Sequence, residues 1–209
     1  MSILKKTAEK AARGLVKNGA DHEMEEVYAY GIECTLSTLL ILALLMAAGF
    51  ILRKPVHMLV FIAAWLPLRM LVGGAHANTH WACTLVSVGL GTVSVWLSDY
   101  IGKSPVAVII VLAVCCYAVF FFTAPVVHKN HPISQKRYRK TRIIARIYAA
   151  VECAVIIILA LIPSPMASPA FMGFFTTAVL AIIGWFSKDT ERSAYKKATR
   201  LLSDQRMQI

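Results

Sequence analysis

Charged side chains are scarce in this chain. They make up 16% of its 209 residues, whereas apolar residues make up 58% and the mean hydropathy is +0.64. Soluble domains typically carry about 25% charged residues, so this composition excludes an ordinary soluble protein. The five cysteines also lack the spacing of a disulfide framework or a zinc site. Four of them lie in apolar stretches, where a free cysteine behaves as a small hydrophobic residue: Cys34, Cys115, Cys116 and Cys153.

The apolar residues come in blocks close to the length that crosses a bilayer. A helix needs about 20 mostly apolar residues to span the hydrocarbon core. We therefore predict an all-α, polytopic membrane protein with six transmembrane helices, folded as a single domain over residues 1–209. The predicted spans, which together occupy residues 34–186, are Cys34–Leu52, Pro55–Val72, Trp81–Leu97, Val106–Val127, Ile143–Ile162 and Ala170–Phe186.

Polar segments flank this apolar region on both sides. In residues 2–19, small and apolar side chains recur at helical spacing with Lys and Arg between them. This pattern is typical of an amphipathic helix that lies in the membrane interface, and we predict such a helix over residues 1–20. A plain solvated helix is the alternative. Residues 187–209 are predicted to form a polar cytoplasmic tail.

Acidic residues are few, 11 against 22 Lys and Arg, and the formal net charge is +11. Five, seven and six of the basic residues fall in segments 1–32, 128–146 and 187–209, which share one face of a six-span protein. Basic loops mark the cytoplasmic side, so both termini and the loop between the second and third spans are predicted to be cytoplasmic. The basic residues are not interleaved with stacking aromatic residues in a soluble domain, which argues against a nucleic-acid partner.

The loop predicted over residues 128–142 is the most basic stretch of the chain. It either anchors the protein to anionic lipids of the bilayer or docks an acidic peptide, and the two roles are compatible. The candidate docking residues are Lys129, Lys136, Arg137, Arg139 and Lys140.

One short polar stretch between the second and third spans combines a thiol with imidazoles, an arginine and two glycines. Cys83 and His76 are the residue types of a nucleophile and its base. On one continuous helix, seven residues separate them by about 10.5 Å, whereas proton transfer needs about 3 Å. The chain must therefore reverse direction between them. Gly73 and Gly74 can end the preceding helix.

If Thr79 caps the third span, Cys83 lies in or just beyond its first turn. There the positive end of the helix dipole, together with Arg69 or an imidazolium, would favour the thiolate. His80 lies on the same helix face as Cys83, so local geometry leaves His76 and His80 equally good bases. Arg69 either snorkels to the interface or serves the site.

A third residue that orients the imidazole has three candidates, Glu33, Glu152 and Asp99. Glu33 lies at the inner edge of the first span, whereas Asp99 lies on the opposite side. Glu152 is an ionisable residue inside a span, which by default indicates function; the structural alternative is a pair with Arg146 or another buried polar group. Ser87, one turn beyond the thiol, either donates a hydrogen bond near the site or packs between helices.

These residues carry a family resemblance. The pattern Arg69-x3-Gly73-Gly74-x-His76-Ala77-x5-Cys83-x3-Ser87 resembles the signature of the accessory gene regulator B (AgrB) family. The Tyr30–Glu33 entry to the first span and Ala124-Pro125 before a basic loop are similar as well. The resemblance covers roughly residues 25–185, including the number and order of spans.

The resemblance implies an integral-membrane cysteine endopeptidase of bacterial quorum sensing, in the cell membrane, that cleaves an AgrD-type propeptide. It implies that Cys83 is the nucleophile and His76 the base. It also implies release of a cyclic thiolactone or lactone peptide, and a homodimer. We expect no cofactor and no metal. Arg69 and the backbone of residues 73–77 are candidates for stabilising the oxyanion.

Two other functions are considered beside this one. The first is a transporter or exporter of a small peptide, in which Glu152 lines a pathway. The small size and the lack of evident inverted repeats argue against it. The second is a non-enzymatic membrane module that holds a partner through its basic loops, for which Cys83→Ser would leave function intact.

Overall fold

The computed structural model of the protein describes residues 3–19, 21–73, 80–124, 135–162 and 164–206. These residues form seven α-helices, one short 3-10 helix and no β-strand. Six of the helices, α2 to α7, are long and apolar enough to cross a membrane. The predicted all-α, multi-pass membrane architecture is confirmed. The α-helices are α1 (Ile3–Lys17), α2 (Glu25–Ile51), α3 (Pro55–Val72), α4 (His80–Ile101), α5 (Val106–Thr123), α6 (Gln135–Leu161) and α7 (Ala167–Arg206).

Several helices begin or end at other residues than the predicted spans do. α2 begins at Glu25 rather than Cys34, and its acidic first turn stabilises the positive end of the helix. α5 ends at Thr123 rather than Val127. A proline at position 125 disfavours the helical conformation at Ala124, whose ψ is 142°.

The basic segments are also more helical than predicted. α6 begins at Gln135, so the second half of the predicted 128–142 loop is helix, because Gln, Lys and Arg are good helix formers. α7 continues as one helix to Arg206, through most of the predicted polar tail. The residues 125–134 and 207–209 lie outside the described part of the chain.

The predicted amphipathic helix is present as α1, which folds back against α2. Ala8 and Ala12, one turn apart, are buried. Arg13 lies 3.8 Å from Glu25 near the start of α2, whereas Lys5 lines the same cleft as Glu33, two turns further along α2. The two helices therefore run antiparallel, with small side chains between them.

The membrane-crossing part of α7, Ala167–Phe186, forms the centre of the bundle. It is 67% buried, against 11% to 33% for the other five spans, and it packs against α3, α4, α5 and α6. Its contact with α3 depends on Gly173: a Cβ there would lie 2.8 Å from the Phe61 carbonyl oxygen and 3.0 Å from Ala64 Cβ. Small residues of this kind let helix backbones approach each other in lipid.

Polar contacts fix the position of α4 beside its neighbours. The Ser94 hydroxyl donates to Thr176 Oγ1 on α7 at 2.9 Å, because the Thr176 hydroxyl itself donates to a carbonyl of its own helix. At the far end of α4, Asp99 forms an ion pair with Lys54, which directly precedes α3. The start of α3 is therefore next to the end of α4, and the two helices are antiparallel.

We expect Gly173→Ala to destabilise the bundle by about 1–3 kcal/mol, the usual cost of overpacking a filled interior. The backbone oxygen that the new methyl group meets cannot move away without shifting α3. The measurement is the thermal unfolding midpoint in detergent. Gly89→Ala is the matched control, since a Cβ at Gly89 meets no atom within 4 Å; an equal effect of both substitutions would contradict the role of Gly173.

Candidate active site

The second membrane-crossing helix ends at a residue that only glycine suits. α3 ends at Val72, and Gly73 has φ 75° and ψ −145°, a backbone region essentially restricted to glycine. α4 begins at His80, so the predicted break between the two helices is present. Gly74 and His76 lie outside the described residues, in the segment 74–79.

Cys83 is the fourth residue of α4 and lies in its first turn, at the position predicted for it. Its thiol is free and half-buried. Backbone N–H groups of a first turn have no acceptor within their own helix, and the helix dipole is positive there. This position suits a group that carries negative charge.

Arg69 connects the end of α3 with the start of α4. Its Nη1 donates to the Gly73 carbonyl oxygen at 2.9 Å, and the Gly73 N–H donates to the Arg69 carbonyl oxygen at 3.0 Å. A cation that binds the last carbonyls stabilises a helix C-terminus. Arg69 also interacts electrostatically with Cys83. Its guanidinium is therefore bound to the backbone at the end of α3, and its role in a site stays a prediction.

Other candidates on α4 lie near the thiol along the helix. His80 is its first residue, three before Cys83, and Ser87 is half-buried one turn beyond Cys83. The sequence analysis did not single out Thr84, which follows Cys83 and is 2% exposed. Its burial could have been predicted from a repeat of small residues on one face of α4, seven positions apart: Thr84, Gly91 and Ser98, which are all buried.

Glu33 is 9% exposed and lines a cleft of about 490 Å³ between α1 and α2. Lys5, Arg13 and Tyr30 line the same cleft. Glu33 is therefore at the end of α2 that α1 covers. Asp99, in contrast, is bound to Lys54 at the other end of α4 from Cys83, so it cannot orient a base beside Cys83.

The structural alternative for Glu152, a pair with Arg146 or another buried polar group, is wrong for the residues that the structure describes. Arg146 donates from Nε and Nη2 to the Phe121 carbonyl oxygen at 3.2 Å and 2.7 Å, and its guanidinium lies 3.9 Å from the centre of the Phe121 ring. The two side chains that were expected to pair are six residues apart on one helix, about 9 Å along its axis. Arg146 therefore takes the closer acceptor, on α5.

The basic candidates lie at the start of α6. Lys136 and Arg137 are its second and third residues, and Arg139 and Lys140 are exposed on it. Lys129 lies outside the described residues. The exposed basic side chains therefore project from a helix that leads directly into a membrane span.

The profile of the family described as accessory gene regulator B (AgrB) matches residues 8–196. The chain belongs to the AgrB family. The family resemblance read from the motif around His76 and Cys83 is confirmed at this level. The described part of that motif is the end of α3 and the first turn of α4.

Curated relatives carry related names. This AgrB-family chain is 28% identical over 145 residues to "Putative AgrB-like protein 2" of Clostridium perfringens (strain 13 / Type A), covering 66% of each chain. It is 30% identical over 126 residues to "Putative AgrB-like protein" of Clostridium perfringens (strain SM101 / Type A), covering 57% of this chain and 59% of the relative. It thus spans less than two thirds of the length of each of these relatives, 66% and 59%. No solved structure matches the chain.

We expect Arg69→Lys to loosen the end of α3 in this AgrB-family protein. A single ammonium group cannot bind the Gly73 carbonyl and also face Cys83 as a guanidinium does. Loss of a charged hydrogen bond costs about 1.5 kcal/mol or more, so amide hydrogen exchange near Gly73 should be about tenfold faster.

The measurement is hydrogen–deuterium exchange followed by mass spectrometry of the peptide that ends α3. Arg53→Lys is the control, because Arg53 is exposed in the turn before α3. Exchange at the wild-type rate in Arg69→Lys would show that the guanidinium does not stabilise this helix end.

Proposed function

We propose that this AgrB-family protein is a membrane cysteine endopeptidase that processes an AgrD-type propeptide in bacterial quorum sensing. The observation that carries the proposal is the break between α3 and α4. α3 ends at Val72, the Arg69 guanidinium donates to the carbonyl of the following Gly73, and α4 begins three residues before Cys83. A thiol at the edge of a membrane helix can meet a peptide that lies in the interface.

In this proposal Cys83 is the nucleophile and His76 is the general base. The seven residues between Val72 and His80 are long enough to bring an imidazole from outside α4 towards the thiol, since an extended residue spans about 3.3–3.6 Å. His80 is the alternative base, because it is on the same helix as Cys83 and one turn away. Glu33 and Ser87 are proposed supporting residues.

The reaction proceeds in two acyl transfers. The Cys83 thiolate attacks the carbonyl carbon of the scissile peptide bond, and the C–N bond then breaks. The imidazolium gives its proton to the departing amine, which leaves with the C-terminal part of the propeptide. A thioester joins the remaining peptide to Cys83.

The second transfer releases the product. A cysteine or serine side chain within the bound peptide loses its proton to the base and attacks the thioester carbonyl. A thiolactone or lactone ring forms, and Cys83 leaves as the thiolate. Thioester exchange is close to thermoneutral, so the site must exclude water that would hydrolyse the intermediate. The lipid edge of the bundle suits this requirement.

The negative oxygen of each tetrahedral intermediate needs positive charge or N–H donors. Two sources are near Cys83. The first turn of α4 offers backbone N–H groups, and Arg69 interacts electrostatically with the thiol. The proposed oxyanion site is made of these groups with the backbone of residues 73–77.

The basic start of α6 fits an acidic tail on the leaving part of the propeptide. Arg139 and Lys140 are exposed there. Positive charge on this side also favours a cytoplasmic orientation of the site and both termini. The family resemblance adds a homodimer in the bacterial cell membrane to the proposal.

We expect Cys83→Ala and His76→Ala each to lower propeptide cleavage by more than about a thousandfold, because removing a nucleophile or its base abolishes the shared step. The measurement is conversion of a purified propeptide by the full-length protein in liposomes. Cys115→Ala is the control, as Cys115 is a free, exposed cysteine away from the proposed site. Unchanged cleavage in Cys83→Ala would disprove the peptidase proposal.

The same assay separates the two bases. Cleavage that survives His76→Ala but is lost in His80→Ala would assign the base to His80. A thioester adduct trapped on Cys83 and released by hydroxylamine would distinguish acyl transfer from transport, for which no adduct forms.

We expect a double charge reversal, Arg139→Glu with Lys140→Glu, to raise KM for a propeptide with an acidic tail at least about tenfold and to leave kcat nearly unchanged. Exposed charges such as these act mainly on the rate at which the substrate is first bound. The rise in KM should therefore be smaller at high ionic strength. Lys103→Glu, beyond the other end of α4, is the control. An equal rise in KM for a propeptide whose tail is neutralised would contradict tail docking.

A further inference from the structure

Glu152 carries a buried carboxyl group that no described residue binds. Both of its carboxylate oxygens are buried and lack a hydrogen-bond partner among the described residues. It lies within the membrane-crossing part of α6, Tyr138–Leu161. An unpaired carboxylate in apolar surroundings is very costly, so such a group becomes neutral or finds a cation.

The helices packed against α6 are α3, α5 and α7. No basic residue occurs in α5 or in the membrane-crossing part of α7. α3 carries only His57 and Arg69, near its two ends; His57 interacts electrostatically with Asp99, and Arg69 binds Gly73. None of these described residues brings a positive charge to Glu152.

The basic residues of α6 itself are also placed elsewhere. Arg146 is six residues before Glu152 and is bound to the Phe121 carbonyl. Arg142 is ten residues before Glu152, about 15 Å along the helix. Both lie towards the start of α6, at the end of the bundle that carries the basic segments.

The titratable groups near Glu152 are uncharged when protonated. Tyr148 and Cys153 on α6 interact with it electrostatically. The titratable side chains of α5, which packs against α6, are Cys115, Cys116 and Tyr117; of these, Cys116 interacts with Cys153 across the two helices. The residues that the structure describes include no group of three or more His, Cys, Asp or Glu side chains able to hold a metal ion.

We propose that Glu152 is a proton-binding site inside the membrane bundle. The folded protein binds one proton at this carboxyl group and keeps it neutral. Loss of that proton creates a buried charge, which is relieved only when the packing around α6 loosens and water reaches the carboxylate. The site thereby links the packing of α6 in the bundle to pH, independently of the peptidase proposal.

The sign of the linkage follows from the two states. The folded protein holds a proton that the exposed carboxylate of the unfolded chain has released, so the folded state binds more protons. Stability is therefore greatest at low pH and falls as the pH rises. For one proton, the folding constant changes by at most about tenfold per pH unit.

The first test reads the protonation state directly. Infrared difference spectra are recorded near neutral pH for the full-length protein in lipid nanodiscs, wild type against Glu152→Gln. We expect the C=O stretch of a protonated carboxylic acid in the wild type and its loss in the variant. Glu26→Gln, which removes an exposed carboxyl group on α2, should retain the band. A wild type without the band would overturn the proposal.

The second test measures unfolding against pH. We expect Glu152→Gln to match the wild type in acid and to be more stable than it in alkaline solution, because the amide cannot ionise. Glu26→Gln should follow the wild type throughout. Identical pH profiles for the wild type and Glu152→Gln would overturn the proposal. So would failure of both neutral variants, Glu152→Gln and Glu152→Met, to fold.

Discussion

Hydrocarbon provides no hydrogen-bond partner for a peptide group, so a chain that crosses it six times must keep its backbone helical until it leaves. Turns, and the polar residues that they carry, are confined to the two edges of the bundle. The break between α3 and α4 is one such exit. Cys83 is half-buried at this exit.

The last carbonyl groups of a helix have no hydrogen-bond partner within that helix. In this protein, arginine side chains bind such carbonyl groups at the ends of two membrane helices. Arg69 donates to the Gly73 carbonyl at the end of α3, and Arg146 donates to the Phe121 carbonyl near the end of α5. Each guanidinium also neutralises the negative end of a helix dipole. Two arginines that hydropathy marks only as interruptions of apolar blocks thus bind carbonyl groups at the ends of membrane helices.

The position of Arg69 depends in turn on the packing of α3 against α7. Phe61 and Leu68 of α3 are almost completely buried, and Gly173 lets the two backbones touch. The candidate site is therefore held by the most buried pair of helices.

Hydropathy predicted the number of spans because each block of apolar residues acts locally and its transfer energies add along the chain. It did not predict the first turns of α2 and α6, since a helix continues beyond the apolar region wherever its residues favour it. The position of Cys83 in the first turn of α4 followed from Gly73 and the turn residues. The partner of Arg146 did not, because an acceptor on another helix was closer than Glu152.

The amino-acid sequence by itself determined that this is a six-span membrane protein of the AgrB family, and that Cys83 lies just after the break between the second and third spans. Those properties follow from local composition and short spacing. Only the tertiary structure decided that α7 is the central helix, that Lys54 meets Asp99, and that Glu152 is left without a cation among the described residues. These depend on which helices approach each other, and close packing between segments far apart in the chain decides that.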